Sequence, residues 1–62
     1  MTPEGYSIVL DLAGNFVLRY YPDVNKENDF IEIASSFNYD GIMRALLIDR
    51  EMRGMGKEYW IS

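Results

Sequence analysis

The sequence predicts an α+β fold in which a small antiparallel β-sheet of three to four strands, in the order β-β-β-α-β, is packed on one face by a single α-helix. Two observations support this prediction. Apolar and polar residues alternate in three short runs, as in strands with one buried face. Residues 38–53 instead repeat their apolar positions with helical spacing. We expect residues 1–62 to form a single α+β domain.

The first two runs predict a β-hairpin. Residues 6–12 and 16–21 alternate, and Ala13-Gly14-Asn15 forms the turn between them. Pro22 ends the second strand because it has no N–H to donate. One face of the hairpin is expected to be buried, and it carries Tyr6, Ile8, Leu10, Leu12, Phe16, Leu18 and Tyr20. The other face carries Val9, Val17, Tyr21 and Trp60, which could form an exposed patch; the alternative, favoured for the aromatic residues, is that they pack into the core.

The remaining elements follow in order along the chain. A polar connector over residues 22–28 precedes a third strand at residues 30–34. The helix is expected within residues 38–53, with Asn38 or Asp40 as its N-cap and Gly54 at its end. The β-prone residues 58–61 predict a short fourth strand.

The predicted helix carries more apolar residues than one sheet face can bury. One arc is an ordinary core stripe of Tyr39, Ile42, Met43, Leu46 and Leu47. A second arc, roughly opposite, consists of Ala45, Ile48, Met52 and Met55. Since 62 residues hardly provide a second covering layer, we expect the second arc to be a self-association interface. The alternative is that the methionines fill gaps beneath the C-terminal segment.

Composition also favours self-association. The chain has no cysteine and no histidine, which removes disulfides and the usual zinc sites. A domain this small ordinarily needs a disulfide, a bound metal or a partner subunit to be stable. We therefore expect a homo-oligomer, and in particular a homodimer.

The charges are divided unevenly along the chain. Residues 1–40 hold seven acidic and two basic residues, and residues 41–62 hold three acidic and four basic ones. The acidic balance argues against direct nucleic-acid binding, because phosphates dominate such contacts. The basic helix residues form either a solvated face or a contact site for an acidic partner. With three aromatic residues they are the partner-binding candidates: Arg44, Arg50, Arg53, Tyr21, Tyr59 and Trp60.

The residue types predict no catalytic, cofactor or metal site. The serines have no histidine to activate them, and there is no thiol. Residues 23–29 carry oxygen ligands at alternate positions, as a calcium-binding EF-hand loop does. However, Asn28 stands where glycine is needed, and Ala34 where the bidentate glutamate belongs. We therefore expect a polar connector here and a protein that is not an enzyme.

Nothing in the sequence predicts export or membrane insertion. Residues 1–5 lack the basic and apolar regions of a signal peptide, and no apolar run approaches the length of a membrane span. We expect a cytoplasmic protein.

The sequence therefore predicts a non-catalytic protein-binding module, a small acidic inhibitor or modulator of a larger protein. In size and charge the chain resembles small phage-encoded inhibitors of bacterial defence, such as anti-CRISPR proteins, and the resemblance rests on composition. It implies action in the host cytoplasm. Two alternatives stay open: a structural or assembly subunit of a larger complex, and an acidic mimic of nucleic acid.

Overall fold

Three antiparallel strands and one helix make up most of the protein. The computed structural model describes residues 4–54 and the strand backbone at residues 60 and 61. The elements are β1 (Gly5–Leu10), β2 (Phe16–Tyr21), β3 (Ile31–Ser36), α1 (Tyr39–Met52) and β4 (Trp60–Ile61). The predicted α+β fold and its β-β-β-α-β order are confirmed.

The strands lie in the spatial order β3-β2-β1-β4. β2 pairs antiparallel with both β1 and β3, and the two-residue β4 pairs parallel with β1. β3 and β4 therefore point the same way at opposite edges of the sheet, and α1 lies in the chain between them. The alternating pattern of the sequence does not determine this strand order or the parallel direction of β4.

The buried core lies between the helix and one face of the sheet. It consists of Tyr6, Leu18, Tyr20, Ile42 and Leu46. The rings of Tyr6 and Tyr20 pack with their centroids 5.6 Å apart. The hairpin residues expected at the centre of the buried face, and two residues of the expected helix stripe, are thus confirmed as core.

The hairpin turn is organised by Asp11. One of its carboxylate oxygens accepts the backbone N–H groups of Ala13 and Asn15, each at 2.9 Å. Gly14 occupies the turn with a φ of 88°, a conformation that favours glycine. Leu10 and Leu12 were expected on the buried face, but they are 65% and about fully exposed. The strand ends at Leu10, and α1 packs on β2 and β3.

The sheet face away from the helix is partly covered and does not form the open patch considered above. Val17, predicted for an exposed patch, is only 6% exposed, and Val9 and Tyr21 are half-buried. Phe30 lies over this face, with its ring centroid 5.4 Å from that of Tyr21. The guanidinium of Arg19 stacks on the ring of Phe30, 4.3 Å from its centroid. The fourth predicted member of the patch, the Trp60 side chain, lies outside the described residues.

Both ends of α1 have recognisable caps. Asn38 is the N-cap, and its side-chain oxygen accepts the backbone N–H of Asp40 at 3.0 Å. Of the two predicted cap residues, Asn38 is the one used. At the other end, Gly54 adopts a φ of 67° just beyond the helix, as the sequence predicted.

Candidate interaction surface

The side of α1 that faces away from the sheet exposes large apolar side chains. Ile48 and Met52 are 61% and 81% exposed, and Leu47 is 50% exposed. Ile48 and Met52 are four residues apart, so they are neighbours on successive helical turns. We call these three residues the outer helix surface.

A shallow, open groove of about 300 Å³ runs along this part of the helix. Its described lining combines Leu47 and Ile48 with the charged residues Arg50 and Glu51. An apolar floor with charges beside it is typical of surfaces that bind other proteins.

The predicted self-association residues divide into three groups. Ile48 and Met52 are exposed, as an interface requires. Ala45 is half-buried and packs against the core, so it lies at the margin of the exposed surface. Met55 lies outside the described residues. Leu47, expected in the core stripe, is half exposed because it lies about 100° around the helix from the buried Leu46. Tyr39, also expected in the stripe, is half exposed at the first residue of α1, where its ring contacts Phe16.

A polar cluster ties the C-terminal half of α1 to the sheet. The Tyr6 hydroxyl donates to Oδ2 of Asp49 at 2.7 Å, and Nε of Arg53 donates to the same oxygen at 2.6 Å. The Arg53 guanidinium also stacks on the ring of Tyr20 at 3.8 Å. Tyr20 in turn donates its hydroxyl hydrogen to Glu4 at 2.9 Å. The i,i+4 spacing of Asp49 and Arg53 is visible in the sequence, whereas the two tyrosine hydrogen bonds are not.

Electrostatics in this cluster favour neutral phenols and a charged guanidinium. Burial, together with the hydrogen bond to Asp49, raises the pKa of Tyr6 well above its ordinary range. Burial and the hydrogen bond to Glu4 likewise raise the pKa of Tyr20. The hydrogen bond to Asp49 raises the pKa of Arg53. At neutral pH these groups keep their charges fixed, so the cluster acts as a clamp between helix and sheet.

The predicted partner-binding residues are not equally available. Arg44 is exposed on α1, and Arg50 is half-buried beside the groove. Arg53 is held by Asp49 and Tyr20, although its side chain keeps 30% exposure. Tyr21 packs against Phe30. The side chains of Tyr59 and Trp60 lie outside the described residues.

Comparison with protein-family models, with curated proteins and with solved structures gave no match.

Two further features bear on the kind of site. Within residues 4–54 and 60–61, no group of three acidic side chains comes together as metal ligands would. The helix in this part of the chain is 14 residues long and lacks the length and hydropathy to cross a bilayer.

A second exposed apolar region, at the hairpin end of the sheet, was missed at the level of sequence. Leu10, Leu12 and Phe37 are all more than half exposed there. Nearby, the rings of Phe16 and Tyr39 meet edge to face at 5.3 Å. The position of Phe37 in the sequence could have indicated this region. Phe37 directly precedes the N-cap residue Asn38 and therefore lies outside the helix.

Proposed function

We propose that this chain is a non-catalytic protein-binding module, an acidic inhibitor or modulator of a larger protein that acts in the cytoplasm as a homodimer. The observation that carries the proposal is the exposure of Ile48 and Met52 on adjacent turns of α1. Large apolar side chains grouped on a surface mark interaction sites when polar residues surround them. Arg44 and Glu51, both exposed, provide such a polar surround here.

The chemistry of the surface supports binding to protein. Met52 has a flexible, polarizable thioether side chain, which adapts to irregular partner surfaces. The groove beside Ile48 is open, and it is lined by both signs of charge. A small-molecule site would instead be a concave pocket that encloses most of its ligand.

Size and charge support the role of a modulator. A 62-residue acidic chain of net charge −4 has the composition of the small phage-encoded inhibitors that it resembles. We extend the proposal to that class: an anti-defence protein of phage origin that acts in the host cytoplasm.

Self-association is tested by Met52→Asp. A carboxylate at this position would have to be desolvated in an apolar interface, so we expect dimerisation to weaken at least tenfold. Met52 is 81% exposed in the monomer, so the fold should be retained. Sedimentation velocity over a range of protein concentrations measures the first effect, and circular dichroism measures the second.

The matched control is Leu12→Asp, which makes a comparable change at a fully exposed residue of the hairpin turn. It should leave dimerisation unchanged. A wild-type protein that stays monomeric up to high concentration would contradict the self-association part of the proposal.

Partner binding is tested by Arg44→Glu. Arg44 is exposed and takes no part in the clamp of Asp49 and Arg53, so its reversal should leave stability unchanged. We expect it to weaken capture of the partner from host lysate several-fold if the partner surface is acidic. Arg53→Glu is a poor probe, because it would place a second carboxylate beside Asp49 and disturb the fold.

The acidic connector supports a second candidate, mimicry of nucleic acid. Glu27, Asp29 and Glu32 are exposed on the connector and the edge strand. Capture that weakens steeply between low and high salt would favour the mimic, since exposed charge interactions are screened. Capture that resists salt would favour the apolar surface of α1.

A further inference from the structure

β3 forms one edge of the sheet, and in the described part of the chain only its β2 side is paired. The strand has six residues, IEIASS, without proline and with Glu32 as its one charged residue. An edge of this kind offers unpaired backbone N–H and C=O groups to another strand.

The register with β2 fixes the face on which each β3 side chain lies. Directly opposed residues of antiparallel strands share a face. Ile31, Ala34 and Ser36 are opposite Tyr20, Leu18 and Phe16, and thus lie on the helix side. Glu32 and Ser35 are opposite Arg19 and Val17, and thus lie on the other side.

The register shifts between Leu18 and Arg19, which leaves Ile33 as the extra residue of a β-bulge. Ile33 packs against the core beside Ala34, so both lie on the helix side. From residue 31 to residue 36 the order is therefore helix side, other side, helix side, helix side, other side, helix side. This order reads the same in both directions about the point between Ile33 and Ala34.

We propose that β3 pairs antiparallel with β3 of a second copy, across a two-fold axis between Ile33 and Ala34. This proposal deepens, and rests on, the self-association proposed above. In a symmetric dimer of this kind, residue 31 faces residue 36 of the partner, residue 32 faces residue 35, and residue 33 faces residue 34. Every opposed pair then lies on a common face, as an antiparallel sheet requires.

Charge also fits this register. Glu32 is opposite Ser35 of the partner subunit, so the charged residue of the strand does not meet its own copy. Centring the axis on Ile33 instead would set Glu32 opposite Ala34 of the partner subunit. Those two side chains lie on different faces of the sheet, so that pairing is disfavoured.

The helices support the same arrangement. α1 packs on both β3 and β2. With strands about 4.8 Å apart, pairing β3 to β3 would set the two helix axes roughly 10 Å apart, close to the usual 8–10 Å of packed helices. One layer of two helices would then cover one continuous sheet.

Two residues of the outer helix surface, Ile48 and Met52, contribute to this contact. Gly41, Ala45, Ile48 and Met52 follow one another at spacings of four, three and four residues and so form a stripe along α1. At Gly41 the stripe faces β3, because a Cβ there would lie 3.6 Å from Oγ of Ser36. Stable interfaces bury at least about 1,000 Å² in total, more than a strand edge alone supplies, and Ile48 and Met52 extend the contact.

Substitution of Ser35 tests the register. Ser35 is exposed, and in the proposed dimer it faces Glu32 of the partner subunit. The two-fold axis produces two such pairs, one on each side of it. Ser35→Glu opposes like charges at both places, and we expect dimerisation to weaken by about twofold to thirtyfold. Ser35→Lys, the matched control, opposes unlike charges and should maintain or strengthen the dimer. Sedimentation equilibrium at low salt measures both variants.

Cysteine pairing provides a second measurement, because the natural chain has no cysteine. Opposed residues lie about 4.5–5.5 Å apart between Cα atoms, within the range of a disulfide. We expect a mixture of Glu32→Cys and Ser35→Cys chains to cross-link on oxidation. Glu32→Cys alone should not, since its two copies would be roughly 10 Å apart along the strands.

The outcomes separate this proposal from the one on which it rests. If Met52→Asp disrupts the dimer while Ser35→Glu and Ser35→Lys have the same effect on dimerisation, the edge pairing is overturned and self-association still stands. Cross-linking of Glu32→Cys chains alone would overturn the register. A monomeric wild type would overturn both proposals.

Discussion

At the scale of single residues, Tyr6 and Asp49 decide how the helix is held on the sheet. Tyr6 is fully buried, yet its hydroxyl reaches Oδ2 of Asp49, which also accepts from Arg53. A buried hydroxyl without such an acceptor would lose its interaction with water and gain nothing in return. The clamp therefore makes a large aromatic side chain compatible with the core.

Tyr6→Phe should lower the free energy of unfolding at pH 7 by about 1–3 kcal/mol, because the removed hydrogen bond has a charged acceptor. The substitution should also make the free energy of unfolding less dependent on pH in the alkaline range. Burial raises the pKa of Tyr6 in the folded protein, whereas the unfolded phenol titrates at about 10. Above that pH the unfolded chain loses protons that the folded protein retains, so wild-type stability falls as pH rises.

Urea unfolding between pH 8 and pH 11 measures this effect. Tyr39→Phe is the matched control, since Tyr39 is half exposed and lies outside the clamp. Its alkaline slope should equal that of the wild type. Equal slopes for Tyr6→Phe and the wild type would show that the buried phenol titrates normally.

At the scale of elements, two glycines have opposite roles. Gly14 holds the hairpin turn at a φ of 88°, where a side chain is strained although no atom lies within 4 Å of an added Cβ. Gly41 lies within the first turn of α1, and an added Cβ there would make only an ordinary contact with Ser36 at 3.6 Å. The same substitution should therefore change stability in opposite directions.

Gly14→Ala should destabilise the protein by roughly 1–2 kcal/mol, the cost of a left-handed conformation for a residue with a Cβ. Gly41→Ala should stabilise it by about 0.5–1 kcal/mol, because alanine loses less conformational freedom in a helix. Thermal and urea unfolding of the two variants beside the wild type measure both changes. A loss of stability in Gly41→Ala would mean that the contact with Ser36 is tighter than its distance implies.

The bulge in β3 is the other feature that matters at this scale. Bulges commonly protect a sheet edge by twisting it. Here the extra residue, Ile33, also turns both central side chains of the strand toward the core. That change of period is what makes the edge symmetric about its midpoint.

At the scale of the whole molecule, one helix is not enough to cover the sheet. α1 packs on β2 and β3, and apolar side chains remain exposed on both layers, among them Leu10, Ile31, Ile48 and Met52. In the proposed dimer, the second copy would cover Ile48 and Met52. The measured stability would then rise with protein concentration, because association favours the folded state.

Local pattern was sufficient for the elements and for the centre of the core. Alternation identified the faces of β1 and β2 correctly as far as Tyr6, Leu18 and Tyr20, and helical spacing selected Ile42 and Leu46. Alternation did not predict the exposure of Leu10 and Leu12 or the burial of Val17. Periodicity states which side chains share a face, but not how far along that face a covering layer extends.

The candidate surface was predictable in part for the same reason. A helix apolar on two sides must leave one side uncovered when the chain supplies only one sheet, so Ile48 and Met52 could be proposed as exposed from spacing alone. The burial of Ala45 and the clamp on Arg53 could not be predicted. Both depend on where α1 crosses the sheet, which local spacing does not contain.

The sequence by itself determined the α+β class, the order of the elements and the apolar excess of the helix, and it narrowed the N-cap to Asn38 or Asp40, because these follow from interactions between residues close in the chain. The tertiary structure decided the strand order, the partners of Tyr6 and Tyr20, and the bulge that shapes the β3 edge. These depend on contacts between residues far apart in sequence, whose geometry is set only when the layers pack together.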